Sequence, residues 1–261
     1  MSKIRIFGLF TVLVALTSCG NSYKINGTSS ITGLDGKMLT LRTLREGNWQ
    51  TVDSAEVVHG YFTMKGKPDS VMMVALFMDN DNLMPLVLER GKIKVTIGNT
   101  QLKATGTPLN DALYEFIEHR NKLELLLDEI ERKEARMIME GTDYEGIHEQ
   151  IAHESDSLIL QMNKYVRDFI TTNYDNVLGP GMFMLMCSTL PYPLLTPQLE
   201  DIIKGAPQSF RSNIMVKEWL GKAKENKKLL DEQKQRQEEN LRLQENLTAG
   251  GSTKPVPDHR F

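Results

Sequence analysis

Residues 106–117 read GTPLNDALYEFI, and the fold turns on how this stretch is read. Thr107 is suited to cap a helix, because a threonine oxygen at that position accepts a bond from an orphan backbone N–H. Pro108 fits the first helical position, where its missing N–H costs nothing. From there Leu109, Leu113, Phe116, Ile117, Leu123, Leu127 and Ile130 recur near helical spacing. Before Gly106 that period is absent, so the chain changes character at one place.

On the N-terminal side, residues 23–106 read as short strands. The runs are YKING, GKMLTLRTL, NWQTVDSAEVV, YFTMKG, SVMMVALFM, MPLVLERG and KIKVTIG. Met38, Thr40 and Arg42 alternate with Leu39, Leu41 and Thr43, as a half-buried strand requires. Asp35-Gly36, Glu46-Gly47-Asn48, His59-Gly60, Asp79–Asn82 and Arg90-Gly91 supply the turns. Short strands at this spacing predict a sandwich or barrel of antiparallel strands.

On the C-terminal side the pattern predicts helices. A second one runs from about Tyr144 to Thr172 on the stripe Ile147, Ile151, Leu158, Met162, Tyr165 and Phe169, pairing with the first across Gly141-Thr142. Asn173–Asn176 breaks the chain, and a short apolar helix follows around 177–189. Thr196-Pro197 repeats the capping signature, and one more helix holds Phe210, Ile214 and Trp219. From Lys222 to Leu247 the chain is rich in Lys, Glu and Gln without a sustained heptad, which predicts a solvated helix rather than a coiled coil. The fold class is therefore α+β: a β domain over 19–106, an α-helical domain over 107–221, a charged helix over 222–247 and a disordered tail over 248–261.

Residues 1–18 form the remaining segment. Lys3 and Arg5 precede the apolar run IFGLFTVLVAL, which is shorter than the ~20 residues of a membrane span and matches a secretory signal. It ends in Leu16-Thr17-Ser18-Cys19, which resembles a bacterial lipoprotein signal, in which the cysteine thiol is lipidated and becomes the first residue of the mature chain. Acyl chains gain about 0.8 kcal/mol per buried methylene, enough in combination to hold a folded domain on a membrane. Gly20 and Asn21 follow, with no aspartate after Cys19, so the same resemblance points to the outer membrane. Removing residues 1–18 takes away the charges of Lys3 and Arg5 and moves the formal charge from −3 to −5. A mildly acidic chain with no basic run argues against nucleic-acid binding. With Cys19 acylated, Cys187 has no partner for an intramolecular disulfide.

The β half resembles DUF4369, a domain of unknown function common in Bacteroidetes lipoproteins. The resemblance rests on Tyr23–Gly27, Asp35-Gly36, Val52–Ala55, His59–Phe62, Lys65-Gly66, Leu88–Gly91 and Gly106–Asp111. It implies a β domain followed by a helical segment and then a thioredoxin-like domain with CxxC. Pro255–Asp258 is similar to the entry of that last domain, but no CxxC is present. Thiol–disulfide exchange needs a low-pKa thiolate and usually a resolving cysteine, so the family's redox activity is not carried over.

The remaining motifs are weak. His148 and His153 nearly spell HExxH, but a spacing of five turns the second ring about 140° around the helix from the first. Asp79–Asn82 begins like a calcium loop, yet Met84 and Arg90 stand at positions six and twelve. Met182, Met184, Met186 and Cys187 are soft donors for Cu(I), in a stretch that reads as a helix apolar all round. Ser54 sits mid-strand without a nucleophile elbow. Asp53-Ser54-Ala55 and Asp156-Ser157-Leu158 look like Bacteroidetes O-glycosylation acceptors, which makes Ser54 and Ser157 candidate modification sites. No catalytic, metal or cofactor site is expected. The expected function is a cell-envelope lipoprotein, anchored through Cys19, that binds a partner protein or ligand. The alternatives are an accessory relative of thioredoxin-like oxidoreductases and a structural surface antigen.

Overall fold

The computed structural model describes residues 22–45, 47–141 and 144–250. Cys19, the leader 1–18 and residues 251–261 of the expected tail lie outside these described residues. Eight strands come first: β1 (Tyr23–Ser29), β2 (Met38–Arg45), β3 (Asn48–Glu56), β4 (Tyr61–Gly66), β5 (Met72–Met78), β6 (Asp81–Leu88), β7 (Gly91–Ile97) and β8 (Leu102–Thr105). Six helices follow: α1 (Pro108–Met139), α2 (Tyr144–Thr172), α3 (Leu178–Cys187), α4 (Pro197–Gly205), α5 (Gln208–Arg211) and α6 (Ile214–Gly250).

The strands form two four-stranded sheets, ordered β4-β1-β7-β8 and β3-β2-β5-β6. They make an open sandwich and not a closed barrel. Alternation along the strands fills the space between the sheets: Ile25, Met64 and Ile93 from one side, Leu39, Leu41, Leu76 and Leu86 from the other, all at most 1% exposed. One pairing departs from the antiparallel expectation. β1 runs parallel to β7, Tyr23 opposite Gly91 through Ser29 opposite Ile97. β8 is a strand that the sequence pattern did not mark; its four residues gain their place by pairing with Lys94–Ile97 of β7.

α1 packs against β8 and β6, the edge strands of the two sheets. α2 returns along α1, with the Phe116 ring stacked at 5.3 Å from Tyr165 and 4.2 Å from Phe169. α3 lies on β5: a Cβ built on Gly181 would stand 2.8 Å from Met73 Cγ. Around α3, the Phe183 ring meets Phe210 and Trp219 edge-on. Most of the buried apolar residues of sandwich and helices form one cluster, from Tyr23 to Ala223, with Leu123, Ile147 and Ile151 of the α1–α2 hairpin outside it.

Three helical expectations change in detail. The helix expected to hold Phe210, Ile214 and Trp219 is two, because Asn213 stops α5 and its Oδ1 accepts from Met215 N and Val216 N to start α6. α6 then runs without a break through the expected boundary at 222 and past 247 to Gly250; the change in composition marks where the helix leaves the core, after Ala223, and not where it ends. α3 is not buried all round: Met182, Phe183 and Cys187 face inward, while Leu185 is half exposed.

Candidate functional site

The residues that carry the family resemblance meet in a few places, and each is a polar joint. The largest is the seam between sandwich and helices. Asn110, fully buried in the first turn of α1, lies against the free edge of β6: its Oδ1 accepts from Val87 N at 2.9 Å and its Nδ2 donates to Val87 O at 2.8 Å. The amide thus mimics one rung of a neighbouring strand. Its Nδ2 also donates to Thr107 Oγ1 at 2.9 Å. One residue pair along the edge, Pro85 has no N–H to satisfy, as suits an edge strand, and its carbonyl accepts from Tyr114 Oη at 2.9 Å. Beyond Val87, the buried Glu89 points its Oε1 at the helix start and accepts from Leu109 N at 2.8 Å and Asn110 N at 3.1 Å. A carboxylate at a helix N-terminus both fills orphan donors and complements the dipole. So Thr107, expected to cap α1 with its own oxygen, receives a bond from Asn110 instead, and the cap comes from Glu89, twenty positions before Leu109.

Gly106 fixes the approach. Its φ of +95° is a left-handed conformation, a Cβ there would lie 2.7 Å from Lys92 O, and its N–H donates to Asp111 Oδ1 at 2.9 Å. A second joint ties the turn into β4 to the loop after β1. His59 and Gly60 both have positive φ, Gly60 N donates to Asp35 Oδ1 at 3.2 Å, and Ser29 N donates to Gly60 O at 2.7 Å. Gly36 N donates to Val57 O at 2.8 Å. In a third joint, Tyr23 Oη donates to Asp53 Oδ2 at 2.7 Å. Burial, and then the bond to Asp53, raise the Tyr23 phenol above its ordinary value, so it stays a neutral donor.

Ser54 is exposed on β3; its N–H donates to Asp53 Oδ1 at 2.8 Å, while Asp53 Oδ2 is taken by Tyr23. Both oxygens of Asp53 are thus engaged, one by the Tyr23 phenol and one by the Ser54 backbone, and the serine is open to solvent as a modification site must be. Ser157 is exposed on α2 and lines a groove of about 540 Å³ between α1 and α2, with Leu126, Lys133, His153, Glu154 and Leu158. Glu154 binds Lys133 Nζ with both oxygens at 2.8 Å and accepts from Gln150, and these bonds hold its carboxyl below the ordinary range. His148 and His153 are exposed, and His148 Nδ1 lies 3.6 Å from Glu134. Among the described residues no three His, Cys, Asp or Glu side chains come together as a metal site. Asp79-Asn80 is a turn, with Asp79 at φ +53° and its carbonyl accepting from Arg42 Nη2 at 2.6 Å. Cys187 is buried, and burial pushes its thiol up to about 12. Among the described residues no helix is long and apolar enough to cross a membrane.

Sequence reasoning picked out Glu89, Thr107 and Asn110 as family residues but not as partners, since a contact across twenty residues has no local signature. The groove was also missed. Its signal is an apolar line on each helix, Leu126 and Ile130 facing Leu158, flanked by long charged side chains.

No curated protein and no solved structure matches the chain. Residues 23–113, from the first residue of β1 to Leu113 in the second turn of α1, match the family model of DUF4369, a domain of unknown function.

Proposed function

We propose that the chain is a non-enzymatic lipoprotein of the bacterial cell envelope, anchored through lipidated Cys19, that presents its folded part to a partner protein or ligand. The observation that carries this reading is the leader ending in Leu16-Thr17-Ser18-Cys19, with β1 beginning only four residues later at Tyr23. The motif residues support it from another side. Asp35, Asp53, Glu89 and Asn110, the polar side chains that would tempt an enzymatic reading, are engaged in holding backbone or a phenol in place. The groove between α1 and α2 and the exposed length of α6 are the surfaces left for a partner.

The test is Cys19→Ala followed by membrane fractionation and metabolic labelling with a fatty acid. The anchored form is expected to move from the membrane to the soluble fraction and to lose label; a variant that stays membrane-bound would refute anchoring. The accessory-redox reading has less support, because a buried thiol pushed up to about 12 is neither nucleophilic nor accessible. Recovery of a CxxC-bearing partner from native envelopes would revive it.

A further inference from the structure

The sheet ordered β4-β1-β7-β8 has one face in the core and one in solvent, and its register assigns every outward position. Lys24 of β1 stands directly opposite Lys65 of β4 and Lys92 of β7, a row of three lysines across three adjacent strands. In the next outward row Lys94 stands beside Asn26, and Lys103 lies farther along on β8. The inward neighbours Ile25, Met64 and Ile93 are buried, which fixes the lysines as outward. The remaining outward positions are Thr, Asn and Tyr, so the face carries five lysines and no carboxylate. Lys103 pairs with Glu118 of α1, whereas Lys24, Lys65, Lys92 and Lys94 enter none of the ion pairs among the described residues.

This is unusual in a chain with 31 basic and 34 acidic residues. Like charges directly opposite on a sheet are destabilising. Lysines are often kept on edge strands to block pairing with other chains, which accounts for Lys65 and Lys103. It does not account for Lys24 and Lys92, because β1 and β7 are interior strands. The sequence hides the patch, because each lysine alternates with an apolar residue and no run of basic residues forms.

We propose that this lysine face docks on an anionic membrane surface, where lipid phosphates neutralise the row. The proposal rests on the anchoring reading for its geometry: Lys24, the middle of the row, is five residues from Cys19, so even a fully stretched chain keeps it within about 18 Å of the lipidated residue. A polar sheet face beside the chain's lipid attachment then lies against the headgroups. Sandwich orientation follows, with the sheet β3-β2-β5-β6 turned away from the membrane.

The experiment uses the full lipidated chain reconstituted into vesicles of phosphatidylcholine alone or with phosphatidylglycerol, and reads amine labelling by mass spectrometry. A lysine near an anionic surface gains a factor of about five in local binding. Labelling at Lys24, Lys65 and Lys92 should therefore fall about fivefold or more on the anionic vesicles, recover at high salt, and stay constant at the α6 references Lys222 and Lys224. In the full chain carrying K24Q, K65Q and K92Q together, protection of Lys94 should be lost with the fold intact by circular dichroism. Equal labelling on both vesicle types, with the chain floating on both, overturns the docking face and leaves anchoring standing. A chain that floats only on anionic vesicles overturns anchoring and keeps the face; one that floats on neither overturns both. Protection by dextran sulfate or DNA in solution as strong as that by anionic vesicles also overturns it, since the face would then be reading a polyanion and not a membrane.

Discussion

From Pro108 to Leu123, α1 buries Asn110, Leu113, Tyr114, Phe116 and Leu123; from Glu124 to Met139 it buries none. The backbone is the same helix throughout. The inner half is held by the edges of two sheets and by α2, α3's neighbourhood included in one core. The outer half pairs with α2, where Lys133 binds Glu154, and leaves Leu125, Leu126, Ile138 and Met139 in solvent. Helix propensity accounts for neither half alone, because most helical stability in a folded protein comes from packing an apolar face and not from propensity. What separates them is the number of buried polar groups that a substitution would strand. The inner half is thus a structural joint, and the outer half is an arm free to meet something else.

Asn110→Ala is expected to do the most damage to the joint. It leaves Val87 N–H and Val87 C=O buried without partners, each worth about 1–3 kcal/mol, so a loss of about 3–5 kcal/mol is expected in chemical denaturation. Leu125→Ala on the arm, where the side chain is 57% exposed, should cost about 0.5 kcal/mol or less. Similar losses for the two would mean that the seam does not hold sandwich and helices as one unit. Gly106→Ala comes next. It forces a side chain onto a left-handed backbone with a contact of 2.7 Å to Lys92 O, and about 2–3 kcal/mol of destabilisation should follow, with the arm's own helicity unchanged. Glu89→Gln keeps an acceptor for Leu109 N and Asn110 N but removes the charge at the helix start. A loss of about 1 kcal/mol is expected from the same denaturation measurement, and a larger one would mean that charge rather than bond count dominates the cap.

Much of this difference was legible along the chain, and the reasons are local ones. Thr107-Pro108 and Thr196-Pro197 announce two helices from their own dihedral and capping chemistry, and at Thr196 the oxygen does accept from Leu199 N, at 3.4 Å. Stripes with a period near 3.6 gave Leu113, Phe116, Ile147 and Ile151 as buried, because burial on a helix face is a property of spacing. Ile170, fully buried one residue from the expected stripe at Phe169, shows the limit of a single stripe where α2 is covered on more than one side. What stayed hidden depends on pairing at a distance. The parallel register of β1 on β7 joins residues 68 apart, and Glu89 reaches Leu109 and Asn110 across β7 and β8. The lysine row is the clearest case: Lys24, Lys65 and Lys92 are ordinary surface residues on their own strands and become a charged surface only in the sheet. The rise in polarity at Lys222 did announce a solvated helix, which is the outer length of α6 and continuous with the helix before it.

The smallest effect tests the arm itself. Glu154 joins the two helices of the hairpin through Lys133, and its carboxyl is held below the ordinary value first by the bond from Lys133 and then by that from Gln150. A group with a depressed folded-state value adds stability above its unfolded value and loses it as pH falls through the folded one. Hydrogen exchange over residues 124–139 and 146–161 should therefore speed up modestly as pH is lowered from neutral into the acid range, after correction for the intrinsic rate. Exchange at Val87 should hold over that range, since its N–H donates to the neutral side-chain amide of Asn110. Lys133→Ala removes the pairing partner, so the arm should then exchange faster at neutral pH and lose most of its pH response. An arm that keeps the full response in that variant would place its acid sensitivity outside the Lys133–Glu154 pair, with the His148–Glu134 contact at 3.6 Å as the next to remove.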